Sequence, residues 1–349
     1  MNFRKLSVVI PNYNYESYIA DAIESALSID WPDVEVIVVD DGSTDNSRAV
    51  IERYRGRVQS IFQENKGQVG ACNAGFAAST GDAVLFLDSD DFVEPSVARE
   101  ADAVWTDDTS KVQFQMRCVS GDGEPLGSYL PQYHVVPSAQ EVRAWVTTTS
   151  AYPTPPGSGN IYSRRYLEKI FPLDHSGGRA ADSCCIAAAP FMGDVLTVPK
   201  ALVSYRIHGK NDGAFSELDV QRFSREVTRA SLLYEYARKT ASKVGIQVPS
   251  DSIRYSLTLL PYRVASLKLA PSMHPWSDDS VLRLLKDLLV GLRRPQGLNG
   301  KACMAVAAWS VAVLASPRRV AEKLILWRFA AGSRPKVLMK ALRLAGVIR

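Results

Sequence analysis

The first 95 residues alternate short β-branched runs with stretches of helical spacing, and this alternation restricts the possible folds more than any other feature. Residues 6–10 (LSVVI) and 34–39 (VEVIVV) are continuous apolar runs, typical of strands buried on both faces of a parallel sheet. Apolar residues at helical spacing over 19–27 separate them, and Trp31-Pro32 ends that helix. The series continues at 43–54 (helix), 58–62 (strand), 69–78 (helix) and 83–87 (strand). The pattern predicts a doubly wound α/β fold, which binds ligands at the carboxyl ends of its strands.

Beyond residue 95 the alternation is looser. The composition favours, in order, a strand at 111–118, a turn-rich segment at 121–127 and a helix at 139–147. A Pro/Gly-rich loop at 152–159 then leads into 160–162, a helix near Tyr166, a hairpin at 195–207 and mostly helix from about 217. We therefore expect a catalytic domain over 1–215, with halves 1–95 and 96–215, followed by a helical, basic region over 216–349.

An acidic run follows the strand at 83–87. Asp88, Asp90 and Asp91 place three carboxylates within four positions, and such groups repel one another unless a cation neutralises them. Carboxylate oxygens suit Mg²⁺ or Mn²⁺, which often complete their shell with water and substrate phosphates. The run predicts a divalent metal site; the alternative is a solvated turn after a strand.

Polar and aromatic residues also follow the first two strands of this series. Asp40-Asp41 ends the strand at 34–39, and Pro11 precedes Tyr13 at the end of the first strand. Carboxylates on adjacent strand ends converge on one cleft, and an aromatic ring there is suited to stacking on a nucleobase. Taken singly, Tyr13 is better explained as a packing residue.

Three segments together are similar to one known family. The runs VVIPNYNYESYIADAIESAL, VVDDGSTD and NKGQVGACNAGFAASTGDAVLFLDSDD occur in the order and spacing of the nucleotide-binding half of a family 2 glycosyltransferase. This resemblance implies a GT-A fold, a Rossmann-like, mostly parallel sheet flanked by helices, here with a C-terminal helical extension. It also implies a nucleotide diphosphate sugar donor, a carbohydrate or lipid-linked saccharide acceptor, and inversion at the anomeric carbon, as in polysaccharide or glycolipid biosynthesis.

The resemblance assigns roles to individual residues. Tyr13, beside Pro11, would stack on the base, and Asp41 would accept a hydrogen bond from its imide N–H, which favours uridine. Asp90 would be the main metal ligand, with Asp88 near the ribose and metal and Asp91 as a second contact. Gly67, Gln68 and Asn73 would lie near the ribose and diphosphate. This chain has Cys72 where the family often has Arg, so any charge contact made by that Arg is absent.

The second half of the match supplies a general base and a histidine. The segment 177–182 (GGRAAD) corresponds to the family's Glu-Asp pair before a helix, with Ala181 in place of Glu, so we assign Asp182 as the base. Its alternative role is a helix N-cap. The segment 205–211 (YRIHGKN) resembles a YRxHGxN stretch, by which His208 would touch the metal or diphosphate, and Arg206 or Lys210 would steady the leaving group. A structural role for His208 is the alternative.

The C-terminal 60 residues have a strong positive charge. Twelve Lys and Arg face one acid, Glu322, whereas the chain before residue 290 is net acidic. Apolar stretches at 302–317, 324–331 and 337–348, with Trp309 and Trp327 and a basic rim, predict a peripheral helix on an anionic membrane surface. An ordinary helical bundle is the alternative. Apolar residues between the charges argue against nucleic-acid binding.

Cysteine usage and missing motifs exclude several classes. Five cysteines without a CxxC pair argue against a disulfide framework or a zinc ribbon, and the first residues leave no room for a signal peptide, so we expect a cytoplasmic protein, possibly at the membrane face. No GxGxxG follows the first strand and no GxxxxGK[ST] occurs. The remaining rivals are a nucleotidyltransferase, which would release pyrophosphate, and a nucleotide-sugar-binding module that has lost catalysis.

Overall fold

The structure, a computed structural model, describes residues 2–133, 135–178, 180–208 and 218–330, with the main chain alone at His175. Two compact units are present: one comprises the described parts of 1–143, 153–208 and 235–247, and the other those of 144–152, 209–234 and 248–349. The strands are β1 (Leu6–Asn12), β2 (Val34–Asp40), β3 (Gln59–Phe62), β4 (Ala83–Phe86), β5 (Phe92–Val93), β6 (Thr109–Val119), β7 (Pro125–Leu130), β8 (Asn160–Ser163) and β9 (Asp194–Arg206). The α-helices are α1 (Ile19–Leu27), α2 (Ser47–Glu52), α3 (Gly67–Ala78), α4 (Val97–Asp102), α5 (Ala139–Thr149), α6 (Arg164–Leu167), α7 (Ala181–Met192), α8 (Val220–Lys243), α9 (Leu260–Leu269), α10 (Val281–Leu292), α11 (Gly300–Ala315) and α12 (Arg318–Phe329).

Nine described strands form one sheet in the first unit, in the order β3-β2-β1-β4-β8-β6-β9-β5, with β7 paired to β6. The strands β1 to β4 pair in parallel, as the alternation of the first 95 residues predicts. β8 runs antiparallel to both β4 and β6, whereas β6 and β9 are parallel. The amino half of β6 pairs with β8, and its carboxyl half extends past β8 to pair with β7. The carboxyl ends of β1, β2 and β4 therefore share one edge with the β6–β7 hairpin.

Helices pack closely on both faces of the parallel strands. The predicted helix at 19–27 is α1, whose buried Ile19 and Ile23 join the alternate residues Leu6, Val8 and Ile10 of β1 in the main apolar core. On the opposite face α3 comes so close that a β-carbon at Gly75 would lie 2.3 Å from a methyl group of Val9. Only glycine fits this approach, which holds the start of α3 beside the strand ends.

Two sequence predictions in the second half are wrong. The hairpin expected over 195–207 is one strand, β9, because Pro199 and Lys200 form a bulge: Phe114 pairs with Val198 and the next residue of β6 pairs with Ala201. The turn-rich segment expected at 121–127 ends instead in β7, whose residues are exposed throughout. Both strands depend on pairing with β6, which local patterns do not report.

The second unit has its own helical core. Buried residues of α9 to α12, among them Val264, Leu284, Val313 and Ile325, form one apolar cluster. Within this unit the buried guanidinium of Arg263 binds Asp279 and Asp287. Among the described helices, none has the length and apolarity that spanning a bilayer requires. The expectations for 331–349 lie outside the described residues.

A single carboxylate joins the amino ends of the parallel strands. Glu35 of β2 accepts hydrogen bonds from Ser7 Oγ (2.6 Å), Thr80 N (2.5 Å) and Gly81 N (3.1 Å), and it pairs with Lys5 Nζ at 2.9 Å. Burial alone would raise the pKa of Glu35, but these hydrogen bonds outweigh burial and hold the pKa at about 2. The ionised carboxylate therefore clamps β1, β2 and the turn before β4 together.

We predict that Glu35→Gln lowers the free energy of unfolding by about 2 kcal/mol at neutral pH, because bonds to a charged acceptor are lost. The pKa in the folded state lies below the ordinary value of 4.5, so the contribution is complete above that value and disappears as pH falls toward about 2. Urea denaturation across this range should show the wild-type and variant stabilities converging in acid. The control Glu52→Gln removes an exposed partner of Arg48 and should change stability little; an equal loss there would contradict the prediction.

Candidate functional site

The ends of β1 and β2 are fastened to each other by their acidic and amide side chains. Asp40 Oδ1 accepts hydrogen bonds from Asn12 Nδ2 (2.9 Å) and Ser43 Oγ (2.5 Å), so Asp40 is an internal anchor. Asp41 is also buried, and its Oδ1 accepts from Gln63 Nε2 (2.6 Å) and Lys66 N (2.9 Å). Among the described residues these bonds use Oδ1, which leaves Oδ2 of Asp41 for a ligand donor.

The aromatic residue after β1 lies at the surface. Pro11 is within β1 opposite Val39, and Tyr13, just beyond the strand, is 45% exposed. Asn14 follows with a positive φ of 61°, and its side-chain oxygen accepts from Thr44 N at 2.7 Å. This turn fixes the backbone beneath Tyr13, directly after the strand end at which Asp41 N donates to Asn12 O at 2.8 Å.

The start of α3 is tied to the start of α7. Gly67 has a φ of +73°, which favours glycine, and Gln68 Oε1 accepts from Ala181 N at 3.3 Å. The Nδ2 of Asn73 donates to Leu173 O at 2.9 Å, and its Oδ1 accepts from Leu173 N at 2.8 Å. Both ends of this amide hold the chain before α7, and the place of Asn73 near the ribose and diphosphate stays a prediction.

The acidic run forms a tight turn after β4. Asp91 N donates to Asp88 O at 3.0 Å, and Asp88 N donates to the buried hydroxyl of Ser158 at 3.0 Å. Asp91 is 1% exposed, with Oδ1 accepting from Arg206 N at 3.0 Å. The turn after β4 therefore holds the carboxylates of Asp88, Asp90 and Asp91 close together.

Asp182 lies against this acidic turn. A β-carbon added to Gly157 would lie 3.0 Å from Asp182 Cβ and 3.4 Å from both Asp182 Oδ2 and Asp88 Oδ2. Both carboxylate oxygens therefore lie 3.4 Å from the same point, so the Asp182 and Asp88 side chains are close neighbours. The N-cap of α7 is Ala180, and Asp182 is in the first turn, so the alternative assignment of Asp182 as the N-cap is wrong.

His208 also reaches the acidic turn. Its Nε2 lies 2.9 Å from Asp90 Oδ2, and its ring stacks on Tyr18 at a centroid distance of 5.0 Å. Arg206 Nε donates to Asp90 O at 2.8 Å, and its side chain is 4% exposed, so it contacts the loop rather than steadying a leaving group. Lys210 lies outside the described residues.

Crowding of carboxylates dominates the electrostatics. Burial and the neighbouring Asp91, Asp182 and Asp90 raise the pKa of Asp88 well above its usual range. Burial and Asp90 raise the pKa of Asp91 to about 8, against the lowering effect of Ser158 and Arg206. When its members are ionised, a cluster of this kind has an excess of negative charge, which a bound cation would relieve.

The residues present fit a hard divalent cation. All of the donors of the acidic run are carboxylate oxygens, and Asp91 Oδ2 is buried with no hydrogen-bond partner among the described residues. No three His, Cys, Asp or Glu side chains in the described ranges are already grouped as a metal site. A cation held by one or two carboxylates and substrate phosphates does not need such a group.

Three buried thiols lie close to the carboxylates. Cys72 of α3 and Cys184 and Cys185 of α7 are buried. Burial, with Asp88, Asp182 and Asp41 nearby, raises the pKa of Cys72 well above its usual range, and burial with Asp182 raises the pKa of Cys184 to about 11. These thiols are therefore neutral and add no negative charge to the site. Cys72 also lacks the positive charge of the arginine expected at its position.

The sequence did not identify two residues that lie beside Asp88 in the site, Gly157 and Ser158. They belong to a short 3₁₀ turn, Gly157–Gly159, in the Pro/Gly-rich loop before β8. Their composition indicated only a loop. Their place beside Asp88 follows from the antiparallel pairing of β8 with β4, which brings the start of β8 to the end of β4.

Comparisons with known proteins agree on one family. The family model described as Glycosyl transferase family 2 matches residues 7–171. An uncharacterized glycosyltransferase of Nostoc sp. is 42% identical over 266 residues, covering 74% of this chain and 77% of that protein. Poly(ribitol-phosphate) beta-N-acetylglucosaminyltransferase TarS of Staphylococcus aureus is 36% identical over 132 residues, which cover 36% of this chain and 23% of TarS.

Solved structures share the fold. TarS 1-349 of S. aureus in complex with UDP-GlcNAc aligns with a TM-score of 0.53 at 18% identity, covering 93% of this chain and 91% of that one. Mannosyltransferase PcManGT from Pyrobaculum calidifontis, in complex with GDP-Man and Mn²⁺, aligns with a TM-score of 0.50 at 17% identity, covering 95% and 86%. At these identities the likeness shows the fold alone.

We predict that the thiols close to the site resist alkylation in the folded protein, because the reactive thiolate is suppressed and reagent access is blocked. Iodoacetamide at neutral pH should label Cys303, which is only partly buried, ahead of Cys72, Cys184 and Cys185. Peptide mass spectrometry measures the rates, and urea should make all five cysteines reactive. Labelling of Cys72 in the folded protein at the rate seen in urea would contradict this packing.

Proposed function

Because this chain belongs to glycosyl transferase family 2 and has the GT-A fold, we propose that it transfers a sugar, with inversion, from a UDP-sugar to an acceptor hydroxyl. The observation that supports this best is the convergence of Asp88, Asp90 and Asp182, which come from two distant segments, at the end of β4. Such a set provides both the cation-binding and the proton-accepting groups of the reaction.

The donor's nucleotide is assigned to the ends of β1 and β2. Asp41 Oδ2 accepts the imide N–H of uracil, while Gln63 and Lys66 N hold Oδ1. Tyr13 provides the exposed aromatic face on which the base stacks. Gly67 and Gln68, at the start of α3, border the ribose and diphosphate, and Pro11 supports Tyr13 from β1.

A divalent cation, Mg²⁺ or Mn²⁺, is assigned to Asp90 and Asp88, with Asp91 as a further contact and His208 beside Asp90. When bound, it supplies Lewis-acid stabilisation of the charge on the departing diphosphate. The crowding that raises the pKa of Asp88 supports this assignment, since a cation would favour the ionised carboxylates.

Asp182 is assigned as the general base. It removes the proton of the acceptor hydroxyl as that oxygen attacks the anomeric carbon on the face opposite the leaving group, which inverts the configuration. Its place in the first turn of α7, beside Asp88 and Gly157, supports this role. Position 181 is alanine, which has no carboxylate, so Asp182 supplies the carboxylate of this segment.

The acceptor is assigned to the second half of the catalytic domain. We assign residues 1–95 to the donor, 96–215 to the acceptor and 216–349 to a helical region. Relatives such as TarS, a poly(ribitol-phosphate) glycosyltransferase, support a saccharide or lipid-linked saccharide acceptor in polysaccharide or glycolipid biosynthesis.

We predict metal-dependent release of nucleoside diphosphate from one donor in a panel of UDP-, GDP- and TDP-sugars, with UDP-sugars preferred. Asp90→Ala should abolish the response to Mn²⁺ or Mg²⁺, and Asp182→Asn should reduce turnover about 100-fold or more while donor binding persists. The matched control is Asp108→Asn, whose side chain is 86% exposed, and it should retain wild-type turnover.

Each rival function gives a distinct result in this assay. Pyrophosphate in place of nucleoside diphosphate would identify a nucleotidyltransferase. Donor binding without turnover, across acceptors as well as water, would identify a binding module that has lost catalysis. Retention of the anomeric configuration in the product, measured by NMR, would overturn the role of Asp182.

Attachment to the cytoplasmic face of an anionic membrane is proposed for α11 and α12. Lys301, Met304, Ala308 and Val311 are exposed at helical spacing on α11, and Arg318, Arg319 and Lys323 are exposed on α12. Trp309 does not join this surface, because its Nε1 donates to Leu324 O at 2.9 Å and its ring packs against Phe329. The sequence-based expectation of Trp309 as an interfacial anchor is therefore wrong.

We predict that the protein sediments with phosphatidylglycerol vesicles at low salt and is released by high salt, because lysines and arginines provide part of the attraction. The double variant Met304→Glu/Val311→Glu should lose this binding. The control Leu126→Glu changes an equally exposed apolar residue of the first unit and should bind as wild type. Binding of the double variant at wild-type strength would exclude α11 as the contact.

A further inference from the structure

Arg206, the last residue of β9, is a buried cation that holds the acidic turn at two points. Its main-chain N donates to Asp91 Oδ1 at 3.0 Å, and its Nε donates to Asp90 O at 2.8 Å. One contact reaches a carboxylate and the other the backbone of the neighbouring residue. Together they fix both the position and the direction of the Asp90-Asp91 pair.

The outer end of the guanidinium connects this turn to two other elements. Nη1 donates to Gly121 O in the β6–β7 turn at 2.7 Å, and Nη2 pairs with Asp21 Oδ2 of α1 at 2.7 Å. The guanidinium also lies over the rings of Tyr18 (4.9 Å) and Phe92 (5.3 Å). Tyr18 stacks on His208 as well, so this packing extends to the partner of Asp90.

These contacts oppose a specific strain. Asp88, Asp90 and Asp91 repel one another, and a turn after a strand could relax by rotating its carboxylates apart. The guanidinium of Arg206 holds the backbone of the turn at Asp90 O, and the main-chain N of the same residue holds the Asp91 carboxylate. The guanidinium also adds positive charge beside the turn, from donors in several fixed directions. Lysine offers one charge centre and cannot reproduce the fork.

We propose that Arg206 is a positioning residue, which sets the orientation of Asp90 and Asp91 toward the divalent cation while touching neither the cation nor the substrate. This inference rests on the proposed metal role of Asp90. It predicts that metal affinity depends on Arg206 and, more weakly, on the exposed Asp21 that anchors it, whose side chain is 59% exposed.

The experiment measures Mn²⁺ affinity by electron paramagnetic resonance in the presence of UDP, for wild type, Arg206→Lys, Arg206→Met and Asp21→Asn. Arg164→Lys is the matched control. Arg164 also binds a carbonyl through Nε (Gly81 O, 2.6 Å), binds a side chain through Nη2 (Ser79 Oγ, 2.6 Å) and stacks on a ring (Phe76, 4.8 Å), but near the amino end of β4. Melting temperature and metal-free UDP binding are recorded for each protein.

We expect the Arg206 variants to bind Mn²⁺ about tenfold or more weakly, with UDP binding in the absence of metal unchanged, because positioning groups around metal ligands have effects of this size. Asp21→Asn should show a smaller loss in the same direction. Arg164→Lys should lower the melting temperature without weakening Mn²⁺ binding.

Wild-type Mn²⁺ affinity in a folded Arg206→Lys protein would overturn the inference, as would an equal loss in Arg164→Lys. If the Arg206 variants do not fold, Asp21→Asn decides, and an unchanged affinity there counts against the inference. Absence of Mn²⁺ binding by the wild-type protein with UDP would overturn the proposed metal function itself, and the inference with it.

Discussion

Mutual repulsion among Asp88, Asp90, Asp91 and Asp182 is the constraint on which the rest of the first unit depends. Like charges this close tend to separate, so the fold must hold them from several sides. Ser158 binds one end of the acidic turn and Arg206 the other. The absence of a side chain at Gly157 lets Asp182 approach, since a β-carbon there would crowd both carboxylates. Under the proposed function, a cation bound together with the substrate would supply the remaining positive charge.

The parallel strands make this arrangement possible because they are fixed at both ends. At their amino ends Glu35 collects donors from three segments, and at their carboxyl ends Asn12 and Asp40 bind each other. Between the two ends, the close approach of α3 at Gly75 leaves no room for the helix to shift. Groups placed on rigid elements keep their separation. A site with several like charges close together needs this rigidity.

Local sequence signals predicted the structure of the first 95 residues well and that of the remainder less completely. Strands β1 to β4 and helices α1 and α3 follow from continuous β-branched runs and helical spacing, and the acidic motifs lie at the strand ends as expected. The continuity of β9 through Pro199 was not predictable, because the bulge depends on pairing with β6. The amide of Asn73 and the indole of Trp309 likewise bind partners that only the folded chain brings near. Long-range pairing, rather than composition, decided each of these cases.

The overhang of β6 beyond β8 has a consequence for how enzymes of this shape diverge. Among the described strands, β7 pairs only with this overhang, and each of its residues is exposed, so substitutions in it leave the apolar core untouched. Its turn nevertheless contacts the site, since Gly121 O binds Arg206 and a β-carbon at Gly121 would lie 3.9 Å from His208 Cβ. Substitutions in β7 can therefore accumulate without loss of stability, whereas the turn before it is constrained by its contact with Arg206. Evolutionary change in this outer strand is thus separate from the stability of the protein.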